Sequence, residues 1–181
     1  MRPGKGALAV ALALALLGAG VAGCGEGNDK SVDEGVPLKL GDLEFNVQIT
    51  RFLNVYSRED QLYVTGQHVP PPASKDYLAV FMTVRNTGGD DLHLPTVDQM
   101  EIVDTTGATY HPLVTHSVFA LPIGGIVPAH DIVPLPESAA ANGPVQGSFL
   151  LFQVDQGVNE NRPLELEITS GNEKGSIKLD L

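Results

Sequence analysis

From Val36 onward, strand signals dominate, and no segment carries a convincing helical period. Leu43, Phe45, Val47 and Ile49 alternate with Glu44, Asn46, Gln48 and Thr50, which predicts a strand with one buried face. Tyr77 to Arg85 is the strongest strand. Leu78, Val80, Met82 and Val84 share one face, and Tyr77, Ala79 and Phe81 make the other apolar enough to need cover. Turn residues separate the runs: Asn86-Thr87-Gly88-Gly89 after this strand, Asp104-Thr105-Thr106-Gly107 inside a hairpin from Met100 to Tyr110, and Ser170-Gly171-Asn172 before Ile177 and Leu179. Further strands are expected at Leu92–Leu94, at 114–120, at 147–154 and around Leu164, Leu166 and Ile168. Val69 with Pro70, Pro71 and Pro72 reads as a stiff polyproline II connection. The expected fold class is all-β, an antiparallel β-sandwich of about eight short strands.

The first residues follow a different rule. Arg2 and Lys5 precede an unbroken Ala, Leu and Val run over residues 7–17. Small residues then lead to Cys24, the only cysteine of the chain. This is the order of a secretory signal peptide, and the run is shorter than the ~20 apolar residues that cross a bilayer. Val21-Ala22-Gly23-Cys24 resembles the bacterial lipobox. That resemblance implies a diacylglycerol thioether and an N-acyl chain on Cys24, with cleavage just before it. Two acyl chains give stable anchoring where one gives marginal binding. The expected location is the extracytoplasmic face of the bacterial cell membrane. The expected boundaries are a signal peptide over 1–23, the lipidated cysteine and a flexible acidic tether over 24–36, and a sandwich domain over 37–181. With no second cysteine, the domain forms no internal disulfide and relies on its core.

Without Arg2 and Lys5 the 11 basic side chains fall to 9 against 22 acidic ones, a net charge of −13. Such a surface is repelled by nucleic acid and by anionic head groups, so no nucleic-acid partner is expected. Attachment to the membrane would then rest on lipid and not on charge.

Three segments together resemble a known family: "YLAVFMTVRNTGGDDLHL", "QMEIVDTTGATYHP" and "VQGSFLLFQVDQG". In this order they are similar to the secreted bacterial domain of unknown function 4352, over roughly residues 40 to 155. The resemblance implies an immunoglobulin-like sandwich related to immunoprotective mycobacterial antigens, often placed behind a lipobox. It implies no activity and no cofactor. The family's Pro-Gly turn before its Gly-x-x-x-Phe strand is replaced by Asn142-Gly143-Pro144.

Chemistry-bearing residues are sparse. There are five histidines, and His111, His116 and His130 are the candidates for a metal site, because a site needs convergent nitrogen or sulfur ligands. A blue-copper centre would need a thiolate inside the domain. A copper-chaperone site would need a His-x-Met element, whereas Asp131 and Ile132 follow His130. Met82 and Met100 fall in strand patterns and read as core. There is no Gly-x-Ser-x-Gly elbow and no domain thiol, so no enzyme is expected. Residues 119–137 break the strand rhythm with an apolar, proline-punctuated run. Its isoleucines either tuck into the core or, with Phe119, Ile123, Ile126 and Ile132 outward, form a contact loop. The expected role is binding a protein or envelope component. The alternative is an extracytoplasmic metal or small-ligand carrier on a cupredoxin-like sandwich. Replacing Cys24 with Ser is expected to move the protein from the membrane fraction to the soluble one and to remove the lipid mass. Equal membrane binding and equal mass increments in mutant and parent would contradict the lipobox reading.

Overall fold

A computed structural model describes residues 30–181. The expected signal peptide, with Val21, Ala22 and Gly23, and the expected lipidation site Cys24 lie outside the described residues. Within them there is no α-helix, only strands and three single-turn 3-10 segments. One sheet holds, in spatial order, β1 (Lys30–Asp33), β13 (Glu173–Leu179), β12 (Leu164–Ser170), β6 (Met100–Val103) and β7 (Thr109–Tyr110). The other holds β2 (Leu38–Leu40), β3 (Leu43–Phe52), β4 (Lys75–Asn86), β11 (Ser148–Asp155) and β8 (Pro112–Leu113). The short β10 (Ile132–Val133) pairs with β4 at Arg85 and Val84, beyond the start of β11. A separate ribbon joins β5 (Leu92–His93) to β9 (Ile126–Val127). Pairing is antiparallel except between β1 and β13. The strands beyond the eight or so expected are two to four residues long, too short to leave a periodic signal.

Two clusters of buried side chains follow from the alternation in β4. Leu78, Val80, Met82 and Val84 face Met100, Ile102, Leu166, Ile168 and Ile177 of the opposite sheet. Tyr77, Ala79 and Phe81 point the other way and join Phe149 and Leu151. Leu53, Val55, Tyr63 and Val64 of the loop after β3 cover them. That loop is fixed by Arg51, whose guanidinium donates to both carboxylate oxygens of Asp60 at 2.6 and 3.0 Å. Asp60 is buried and also accepts from the Asn54 amide at 2.7 Å. The same guanidinium lies over the rings of Tyr63 and Phe81, a cation–π arrangement.

Three expectations need correction. The acidic stretch read as a tether through residue 36 belongs to the sheet from Lys30 on, so the domain begins before residue 37. Long-range partners stabilise it: Lys30 donates to Glu173 at 2.6 Å and to the Lys39 carbonyl at 2.8 Å. The Glu34 carboxylate accepts from the Thr50 amide and hydroxyl and from the Asp180 amide. Second, Ile49 does not continue the buried face of β3. A bulge between Val47 and Ile49 shifts the register, leaving Ile49 40% exposed and Thr50 buried. Third, the expected strand at 114–120 is absent. That stretch crosses the covering loop through side-chain bonds, Thr115 to the Thr65 carbonyl and Ser117 to the Leu62 carbonyl. One parallel bridge, Ala120 with Phe149, ties it to the sheet.

The hairpin from β6 to β7 turns on Asp104. One carboxylate oxygen accepts from the Thr106 amide and hydroxyl and from the Ala108 amide, and the other from the Asn161 side chain. Burial alone would raise the Asp104 pKa, but the bonds from Thr106, Ala108 and Asn161 outweigh it and hold the carboxyl below its usual range. Asp104→Ala is expected to cost about 2–3 kcal/mol at neutral pH. Because the folded pKa is the lower one, the charge-dependent part is fully present above the unfolded carboxylate range and is lost as pH falls through the folded value. Urea unfolding of both proteins across acid pH checks this. A difference that stayed constant into strong acid would contradict it.

Candidate functional site

The segment from Val114 to Ala120 crosses the outer face of the sheet that contains β4, and beyond it Leu121, Val127 and Val133 enter the core between the sheets. Its path is set by Phe119. The Phe119 ring packs on Tyr63 with centroids 5.5 Å apart, and Tyr63 makes edge contacts to Phe81 and Phe149 at 5.1 and 5.2 Å. Burial pushes the Tyr63 phenol pKa upward, opposed by the nearby charge of Arg51. Backbone bonds hold the strap to β11: Phe149 donates to the Phe119 carbonyl at 3.0 Å, and Leu121 donates to the Phe149 carbonyl at 2.9 Å. Gly143 gives the ring its room, since a Cβ there would stand 2.9 Å from Phe119 Cε1. The unusual Asn142-Gly143-Pro144 turn therefore has a packing reason.

In extended chain, neighbouring side chains point to opposite sides. Here, however, Val118 and Phe119 are the central residues of a turn closed by the Ala120 amide donating to the Ser117 carbonyl at 3.1 Å, so the turn sets their directions: Phe119 packs inward and Val118 is 73% exposed. Past Leu121, the chain enters β9, turns through His130 at a φ of 62°, forms β10 and returns over Leu135. Two grooves result, one on each side of a wall formed by Ala120 and Pro122. The first, of about 370 Å³, lies between Val118, Ile126, Val133 and Leu135 and includes Asp131. The second, of about 590 Å³, lies between Val97, Leu113, Val114 and Ile123 and includes Asp98.

Of the four residues singled out as loop contacts, only Ile126 stands well exposed, at 55%. Phe119 packs against the outer cluster, Ile123 packs against the core between the sheets, and Ile132 is half-buried in β10. The exposed apolar positions that sequence reasoning missed are Val114, Val118 and Leu135. No local pattern signalled Val118, which sits beside Phe119 in a turn. Leu135, between Pro134 and Pro136, gave no signal either.

The three candidate histidines are not brought together. His111 Nδ1 lies 3.1 Å from the Met100 carbonyl, and its Nε2 lies 3.9 Å from Glu101. His116 packs over Gly66, and His130 occupies the β9–β10 turn. His68 and His93 each place Nδ1 against a carbonyl, of Pro70 and Gly124. Among the described residues no group of three or more His, Cys, Asp or Glu is placed to hold a metal ion. At the far end Asp155 accepts from Lys75 at 2.5 Å, which holds its pKa down, and from the Tyr110 hydroxyl at 3.3 Å. This is a closed structural set of partners.

Solved structures give the comparison. The yjhA protein of Bacillus subtilis superposes with a TM-score of 0.53 at 14% identity, over 82% of this chain and 99% of that one. An uncharacterized β-sandwich protein of Clostridium difficile 630 gives 0.51 at 16% identity, over 84% and 95%. The chain is an all-β sandwich similar to these bacterial proteins. The ycdA protein of Bacillus subtilis, a candidate lipoprotein, gives 0.51 at 14% identity, over 82% of this chain and 39% of that one. At such identities the likeness carries the fold alone. No family model matches the chain, and no curated protein matches it.

The strap makes a paired prediction. Phe119→Ala is expected to cost about 2–3 kcal/mol, because a half-buried ring leaves a cavity beside Tyr63. Val118→Ser is expected to change stability by less than about 0.5 kcal/mol. Thermal unfolding of both variants checks the pair, and equal losses would contradict the inward and outward assignment.

Proposed function

We propose that this protein is a lipoprotein, held at the extracytoplasmic face of the membrane through Cys24, whose sandwich docks a protein or envelope component without catalysis. The observation that carries the reading is the pair of apolar grooves flanking the 118–122 strap, with Val114, Val118, Ile126 and Leu135 exposed around them. Soluble domains keep few such patches unless something covers them. The lipobox motif supports the location, and the similarity to a candidate lipoprotein agrees with it. A metal-carrier role has no support from the histidine positions.

Deleting the loop would be a poor test, because Leu121, Val127 and Val133 are buried and β9 and β10 would go with it. Site-specific photo-crosslinking in intact cells is better. Probes at Val118 and Leu135 are expected to give discrete adducts, and a probe at Tyr56, 78% exposed and away from the grooves, is expected to give none. Adducts equal at all three sites, or at none, would contradict docking by this face.

A further inference from the structure

Charge is segregated along this chain. From Asn86 to Asn161, 76 residues, there is no Lys or Arg, while nine Asp and Glu occur. All nine Lys and Arg beyond residue 29 lie outside that stretch. Both grooves are built mainly from it. Each contains one carboxylate, Asp131 in the first and Asp98 in the second, and neither is lined by a cation. Asp91 extends the acidic rim by accepting from the Ala129 amide beside Pro128, and exposed Glu137 extends it beside Ser138. Arg85, the cation nearest along the ladder, sits in register with Ile132 on one side and with Glu44 on the other.

Resting on the docking reading above, we infer that the partner is a peptide segment of another protein that carries apolar anchors flanked by Lys or Arg. Two grooves divided by one wall accept two side chains of a single extended segment. The volumes, about 370 and 590 Å³, suit such anchors. The acidic rim then meets the flanking cations, which steers encounter and rejects acidic competitors. A second copy of this chain is disfavoured, because its matching face would bring carboxylate to carboxylate. Anionic lipid is disfavoured by the same repulsion.

The test selects from a displayed library of random peptides, about a dozen residues long, on the full chain purified in detergent. The triple variant Val118→Ser, Ile126→Ser, Leu135→Ser serves as counter-selector, since these exposed positions change without opening the core. Enriched peptides with apolar residues flanked by Lys or Arg support the inference. Binding of such a peptide should weaken at least about tenfold when its cations become Glu, and several-fold in Asp98→Asn, Asp131→Asn protein. Enrichment of neutral or acidic peptides, lost on the triple variant, would overturn the basic-partner inference and leave groove docking standing. Peptides enriched equally by parent and triple variant, or none enriched, would overturn both. Basic peptides that bind equally well after their apolar residues become Ser would overturn the anchor part of the inference.

Discussion

Strand β4 is buried on both of its faces, and the rest of the architecture answers to that. Its Leu78, Val80, Met82 and Val84 face is covered by the second sheet, as in any sandwich. The Tyr77, Ala79 and Phe81 face needs a second cover, which irregular chain supplies. The loop after β3 provides part of it, with Tyr63 inserted among Phe81, Phe119 and Phe149. Arg51 holds that loop down through Asp60 and caps the aromatic group with its own charge. The strap completes the cover through Phe119. The grooves are thus a by-product of covering a strand with irregular chain, which packs less evenly than a sheet does.

The alternation of β4 and β12 was legible because each residue reports its own burial. So was the hairpin at Asp104, where the turn chemistry lies within five residues. What escaped was whatever depends on distant partners. The residues 30–33 form a strand because the edge of β13 accepts them and Glu173 pairs with Lys30, 143 positions away. Composition alone reads that stretch as solvated. The bulge near Gln48 changes which side of β3 is buried through a single extra residue, and nothing in the local pattern marks it. For the candidate site, the sequence singled out residues 119–137 but left open which of their apolar side chains turn outward, and Phe119 turns inward. Burial of that ring depends on the space left by Gly143, 24 positions later.

With no disulfide available, the fold is held by apolar packing and by a few polar hubs with fully used acceptors. Glu34, Asp60 and Asp104 each join segments that are distant or conformationally awkward. Asp60 and Asp104 are buried and Glu34 is half-buried, and carboxylates so placed are stable only while their donors remain in place. They tie the irregular covers to the regular sheets, so that grooves built on loops keep a defined shape.

Pairing of β1 from Lys30 also shortens the leash. Cys24 and Lys30 are six residue steps apart, which at ~3.3–3.6 Å each is a reach of about 20 Å. A chain fastened by lipid at Cys24 cannot sweep a wide volume above the bilayer. Under the lipid attachment proposed above, its sandwich would stay within roughly one domain diameter of the surface, and a partner would be met in that thin layer.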